Sequence, residues 1–207
     1  MDTAADWIPP RPSLPALRKQ AAGCRACHLW RVGTRTVFGE GPRRATVMFV
    51  GEQPGDQEDR AGHPFVGPSG RLLDAALEAA GIDRDEVYIT NTVKHFKWER
   101  GEKGARRIHK KPNAGEITAC APWLHAELAV VQPRVVIALG ATAAQTLLGK
   151  SFKVTQQRGK ALKGTGVADV VIATVHPSSV LRAPDAESRA RAEKEFKADI
   201  KVAAKHL

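Results

Sequence analysis

A chain of 207 residues, 43% hydrophobic and 26% charged, has the size and composition of one globular domain, which excludes a disordered or fibrous protein. Lysine and arginine number 32 against 22 acids, a formal charge of +10, so a polyanion such as nucleic acid is the expected kind of partner. No apolar run is long enough to span a bilayer and no secretory signal is visible, so the cytoplasm is the expected compartment and no membrane the expected partner.

The first ten residues are expected to be loose. Four short β-branched apolar runs, at 46–50, 87–90, 135–139 and 170–175, read as strands. They are continuous rather than alternating, as parallel strands covered on both faces should be. Between the first two, Ser69 can cap a helix with Leu72, Leu73, Ala76, Leu77 and Ala80 on its apolar face, closed by Gly81. A basic loop insertion at 94–111 follows the second strand, with Lys94, Lys97, Arg100, Lys103, Arg106, Arg107, Lys110 and Lys111 opposed only by Glu99 and Glu102. Such a loop can neutralise phosphates by counterion release, although a solvated loop has the same composition. Asn113 opens a helix through Trp123, Leu124, Leu128 and Val131 that stops near Pro133; 142–148 is a short helix ending at Gly149; Asp185 starts the last one, burying Phe196 and Ile200. The alternation predicts one α/β domain over 1–207, a three-layer α/β/α sandwich around a central, mainly parallel four-stranded sheet, and a monomer.

In such a sheet ligands bind outside the carboxyl ends of the strands. The first strand runs into Gly51-Glu52-Gln53-Pro54-Gly55-Asp56, the second into Asn91-Thr92-Val93-Lys94 and the fourth into His176-Pro177-Ser178-Ser179. Three polar, turn-forming strand ends at one edge predict a site there. Neither a G-x-G-x-x-G nor a G-x-x-x-x-G-K-[ST] follows the first strand, which argues against dinucleotide and nucleoside-triphosphate binding.

The three cysteines are Cys24, Cys27 and Cys120. Cys24-x-x-Cys27-His28 matches the haem-attachment pattern, but that attachment needs export. A disulfide is disfavoured in a reducing compartment. Two close thiols and a distant third suit a metal or iron–sulfur centre, with His28 and His95 as local candidates for the fourth ligand.

Val37-Phe38-Gly39-Glu40-Gly41, Phe49-Val50-Gly51-Glu52, Pro64-Phe65-Val66-Gly67, Tyr88-Ile89-Thr90-Asn91 and His176-Pro177-Ser178 together resemble the uracil-DNA glycosylase superfamily, in particular its bacterial iron–sulfur branch. That branch usually has a cysteine where this chain has His95. The resemblance therefore implies a 4Fe-4S cluster held by Cys24, Cys27, His95 and Cys120, and uracil-containing DNA, single-stranded by preference, as partner. Gly51-Glu52-Gln53-Pro54-Gly55 and Arg106-Arg107-Ile108-His109-Lys110 look like the UdgX subgroup, whose members become covalently linked to DNA through the loop histidine. Ala105 stands where that loop usually has lysine.

The resemblance further implies that Phe65 stacks on the flipped base and that Asn91 reads its edge. It implies that His176 donates to uracil O2, stabilising the leaving anion, with Asp56 or a neighbour placing water in ordinary family members. Here His109 is expected to attack the anomeric carbon, with Glu52 holding its other N–H and Gln53 beside them. Arg106, Arg107 and Lys110 are expected on phosphates, with Gly55 in the pocket wall and Ser178, Ser179 and Arg182 bracing the DNA. A hydrolytic, multiple-turnover enzyme and a non-catalytic nucleic-acid-binding module with a structural metal are the alternatives.

Overall fold

A computed structural model describes residues 2–101 and 106–207, so Lys103 and Ala105 lie outside the described residues. In chain order the elements are α1 (Leu14–Ala21), α2 (Leu29–Val32), β1 (Val47–Gly51), α3 (Asp56–Ala61), α4 (Pro68–Ala80), β2 (Val87–Asn91), β3 (Trp98–Arg100), β4 (Arg107–His109) and α5 (Ala114–Val131). They continue with β5 (Val135–Leu139), α6 (Ala141–Leu148), α7 (Val154–Gln157), β6 (Ala161–Leu162), β7 (Val170–Thr174), α8 (Pro177–Leu181) and α9 (Ala186–Ala204).

The central sheet has the order β2-β1-β5-β7-β6. Its first four strands are the four expected from sequence, all parallel. The fifth, β6, pairs antiparallel with β7 through only two residues, too few to show a period in sequence. Successive side chains leave a strand on opposite faces. Val47, Phe49, Ile89, Ile137 and Ile172 therefore meet Leu73 and Leu77 of α4 and Phe196 and Ile200 of α9. Met48, Val50, Tyr88, Val136 and Val171 meet Leu124 of α5 and Ala143 and Ala144 of α6. Burial on both faces is why these strands carry unbroken apolar runs, and each fully buried large side chain contributes about 1.5–3 kcal/mol.

Asn113 and Asp185 cap α5 and α9 as expected, each accepting a backbone N–H in the first turn. α4 begins earlier than Ser69 suggested, because Pro68 fills its first position behind Gly67. The amino-terminal stretch contributes to the core. Ala4–Trp7 forms a 3-10 turn, and Ala4, Leu17, Leu29, Phe38 and Trp123 make a third apolar cluster.

The basic insertion is also ordered differently from a plain loop. β3 and β4 pair as an antiparallel ribbon, Trp98 opposite His109 and Arg100 opposite Arg107. The indole Nε1 of Trp98 donates to Val32 O at 2.8 Å, tying the ribbon to the amino-terminal layer.

β2 lies on one side of β1 and β5 on the other, so the chain reverses its direction across the sheet beside β1, where a crevice opens. The Thr142 hydroxyl of α6 donates to Glu52 across that crevice.

Candidate active site

The carboxyl ends of β1, β2 and β7 and strand β4 of the ribbon surround two adjoining cavities. The smaller, about 220 Å³, is lined by Gln53, Gly55, Phe65, Asn91, His109 and His176 among others. The larger, about 800 Å³, shares Gln53, Gly55, His109 and His176 and adds Glu52, Asp56, Arg107 and Thr142. Asn91 and His109 thus face one cavity although 18 positions of sequence separate them.

Asn91 is almost fully buried at the end of β2, and its Oδ1 has no hydrogen-bond partner. A buried acceptor left without a donor costs about 1–3 kcal/mol, which marks it as the place for a ligand N–H. Gly51 makes room for it. A Cβ there would meet Asn91 Oδ1 at 2.3 Å and the Phe65 ring at 2.8 Å. Phe65 is held with φ at 56°, in the left-handed region that a bulky residue rarely adopts. Its carbonyl packs so closely on Gly70 that a Cβ at that position would lie 1.7 Å from Phe65 O. Glu58, which no motif singles out, is buried and accepts from Gly55 N at 3.1 Å and Gly67 N at 2.8 Å. It ties the β1 loop to the loop that presents Phe65.

His176 caps α8. Its Nδ1 accepts from Ser178 N at 3.2 Å, with Ser178 Oγ at 2.8 Å. A ring whose Nδ1 accepts carries its proton on Nε2, so the neutral imidazole is a donor from that side. Burial, aided by His109 and Arg182, pushes its pKa down to about 4, so it is neutral at pH 7. Ser178, expected against DNA, braces this histidine.

His109, at the end of β4, is half-exposed. Its pKa is lowered by withdrawal from water and by Arg182, with Glu52 acting in the opposite sense. Glu52 Oε1 stands 3.7 Å from His109 Nε2, beyond hydrogen-bond length. The nearer neighbour is the Gln53 amide nitrogen, 2.9 Å from Nε2. The expectation that Glu52 holds the ring N–H is therefore corrected. Gln53 can only donate from that nitrogen, so His109 Nε2 presents a lone pair. The same amide nitrogen lies 3.2 Å from Lys97 O and 3.0 Å from Lys110 O, and Gln53 Oε1 accepts from Lys97 N at 3.0 Å. Gln53 is the clamp across both legs of the ribbon.

Arg107 and Asp56 also take different places from those expected. Arg107 is nearly enclosed: its Nε pairs with Asp56, its Nη1 donates to buried Asp59 at 2.6 Å and to Thr34 at 3.0 Å, and its guanidinium lies 5.4 Å from the Phe96 ring and 5.4 Å from the Trp98 ring. It is an anchor of the ribbon rather than a phosphate ligand. Both oxygens of Asp56 are engaged, one by Arg107 and the other by Arg60. Burial works to raise the Asp56 pKa, but the hydrogen bonds from Arg60 and Arg107 outweigh it and hold the carboxyl below its usual range. Three more basic residues of the insertion are similarly occupied. Lys94 pairs with Glu127, Lys97 with Glu116 and Lys110 with Glu99.

On the opposite flank of β2, Cys24, Cys27, His95 and Cys120 line one small internal cavity with Lys94 and Trp123. His28, the other histidine candidate, points instead toward Glu116 with a largely exposed ring. Thr36 Oγ1 lies 3.3 Å from Ala21 O and 2.9 Å from His95 Nε2. When the hydroxyl donates to that carbonyl it accepts from Nε2–H, leaving His95 Nδ1 a free lone pair. Cys120 Sγ accepts Lys94 N–H at 3.3 Å. Burial raises the Cys27 thiol and pushes Cys120 up to about 12, so a cationic group is what would draw off their protons. Among the described residues no three His, Cys, Asp or Glu side chains are grouped to hold a single metal ion. A four-iron cluster spreads its ligands over four irons, and three thiols and a neutral imidazole around one cavity suit that chemistry.

The family model of the uracil DNA glycosylase superfamily matches residues 38–201, which span every element around both cavities. The chain belongs to the uracil-DNA glycosylase superfamily. A Type-4 uracil-DNA glycosylase of Sulfurisphaera tokodaii is 35% identical over 180 residues, 84% of this chain and 78% of that protein. One of Thermotoga maritima is 39% identical over 160 residues, 77% and 78% of the two chains. A Type-5 uracil-DNA glycosylase of Pyrobaculum aerophilum is 29% identical over 184 residues, covering 81% and 76%. Within the glycosylase fold of this chain, no helix among the described residues is long and apolar enough to cross a membrane.

Proposed function

We propose that this protein excises uracil from DNA, preferably single-stranded, and captures the sugar left behind through His109, as in the UdgX subgroup. The observation that carries the reading is the buried, unpartnered Oδ1 of Asn91 in the cavity that His109 also lines. Uracil offers N3–H to Oδ1 and O4 to the amide NH₂. Cytosine presents an acceptor at N3 and donors at its exocyclic amine, leaving both partners unsatisfied, and a buried site built this way discriminates strongly.

The flipped base stacks on Phe65, and the His176 ring, 6.1 Å from the Phe65 ring, lines the same cavity. As the N-glycosidic bond breaks, its electron pair moves onto uracil, where His176 Nε2–H donates to O2. The lone pair of His109 Nε2 turns from Gln53 and forms the bond to C1′. Glu52, held by Thr142, stabilises the positive charge passing from sugar to imidazole. Loss of the Nδ1 proton to water leaves a neutral N-alkyl imidazole, a poor leaving group. Cys24, Cys27, His95 and Cys120 would hold a 4Fe-4S cluster, which supplies a structural cross-link between the amino-terminal layer, the end of β2 and α5.

A hydrolytic, multiple-turnover glycosylase is the second reading. It is favoured by the 3.7 Å gap between Glu52 and His109 and by the Type-4 relatives. One denaturing gel with a uracil-containing single strand separates the two. A retained protein–DNA band that His109→Ser abolishes supports capture; free uracil with abasic DNA and no retained band supports turnover; neither product overturns the glycosylase reading. Brown colour with equimolar iron and sulfide tests the cluster, and zinc in their place refutes it.

A further inference from the structure

The protein carries ten more cations than carboxylates, yet the insertion that looked like its phosphate-binding surface spends Lys94, Lys97, Arg107 and Lys110 on carboxylates of the same chain. Lys111, at the end of the insertion, is not among the cations spent in this way. Between α5 and α6 lies a groove of about 580 Å³ that shares the lining residues Lys111 and Thr142 with the cavity holding His109, so the two adjoin. Its lining contains Lys111, His125 and Lys150 and no carboxylate. Both lysines are exposed. Among the described residues no acid stands within ion-pair distance of either lysine, in contrast to the four occupied cations of the insertion. Its apolar lining is Ala114, Ile117, Ala121 and Pro122. Gln145 donates its amide to Phe152 O at 3.2 Å and keeps its own oxygen as an acceptor beside the groove.

We propose that this groove holds the uracil-bearing strand beyond the immediate neighbour of the flipped nucleotide, with Lys111 and Lys150 on its phosphates and the apolar lining against its bases. The combination of cations and an apolar lining is the one that suits a single strand, whose backbone is anionic and whose bases present faces. The eight residues of α6 extend about 12 Å from the active-site crevice. That length takes the strand past one neighbour and toward Lys150. The placement rests on the glycosylase reading, because it is uracil in the adjoining cavity that fixes the strand's register.

The test compares a uracil trinucleotide with a uracil 15-mer, using wild type, Lys150→Glu and Ala121→Trp, each variant first checked for a wild-type thermal melt. Lys150→Glu is expected to leave excision from the trinucleotide unchanged. On the 15-mer it should weaken binding and reduce the slope of log affinity against log salt by about 1. Ala121→Trp fills the groove and should remove the advantage of the longer strand without touching the trinucleotide. Photo-crosslinking from a 4-thiothymidine two positions from uracil is expected to label peptides of 111–125 or 141–150. Crosslinks confined to other segments, or an equal salt slope on both lengths in all three proteins, overturn the proposal. A trinucleotide that wild type does not process, with crosslinks nonetheless in the groove, counts against the base-reading site and leaves the strand path standing. Crosslinks abolished by a competing protein segment but not by uracil-free DNA assign the groove to a protein partner and also overturn it.

Discussion

Lys94 joins the two halves of the molecule, and its removal should be felt in both. Its ammonium is buried and donates to Glu127 at 2.5 Å, to Thr90 Oγ1 at 2.7 Å and to the carbonyl of Asn91 at 2.6 Å. Glu127, wholly buried, also accepts from Gly39 N, Tyr88 OH and Thr90 Oγ1. Lys94→Met leaves that carboxylate with three neutral donors and no cation. Breaking a buried pair on one side costs about 3–5 kcal/mol. With a urea slope of about 2 kcal/mol/M, the unfolding midpoint should fall by about 1.5–2.5 M. Removing both charges, in Lys94→Met with Glu127→Gln, should recover part of that loss, because no uncompensated ion remains. Excision behaves differently: Met cannot hold the Asn91 carbonyl in either variant, so kcat/KM on uracil stays depressed in the double mutant while stability returns. A double mutant whose midpoint loss equals the sum of the two singles, or one that recovers activity together with stability, refutes this account of Lys94.

Asn91→Ala removes both hydrogen bonds to the base and should lower kcat/KM by roughly 30- to 1000-fold, equivalent to about 2–4 kcal/mol, with little loss of thermal stability because an orphaned buried acceptor disappears with it. Arg107→Lys should not substitute for arginine. A single ammonium cannot span Asp56, Asp59 and Thr34, so a protease-susceptibility assay should show the ribbon opened and the gel should show the retained band reduced. For pH, His176 has a folded pKa of about 4 against an unfolded value near 6.5. Below about 6.5 the unfolded chain takes up a proton that the folded chain refuses. This contribution to stability is therefore full above that pH, declines as pH falls, and is lost by about 4, an acid-side slope in urea midpoint that His176→Gln should flatten.

The sheet was legible because four strands buried on both faces must be continuously apolar, and Asn113 and Asp185 announced their helices by cap chemistry alone. The ribbon was not. Trp98-Glu99-Arg100 and Arg107-Ile108-His109 are three residues each and mostly charged, and what holds them lies far away in sequence: Val32 for Trp98, Asp59 for Arg107, Gln53 for both legs. Reading charge locally set eight cations against two acids and predicted a phosphate surface. The compensating carboxylates Asp56, Asp59, Glu116 and Glu127 sit on other helices, where a lone acid looks like solvated surface. The same blindness hid Thr142, Glu58 and Thr36, whose importance is only whom they touch.

Those distant partners explain why the site can be accurate while one of its key side chains, His109, sits on a short, half-exposed strand. A reacting atom must be held within about 0.5 Å of its productive position, and a three-residue pair of strands does not supply that by itself. Here the ribbon is fastened at three points, by Gln53 between its legs, by Arg107 in a carboxylate and aromatic cradle, and by Trp98 to Val32. The base pocket is fixed separately, by Glu58 across two loops and by Lys94 under Asn91. Each fastening buries a polar or charged group in a partnered state, so loosening one exposes an unpaired group rather than merely losing a contact. Substitutions at these anchors should therefore reduce capture at His109 more than they reduce binding of the strand, which depends on exposed cations in a different place.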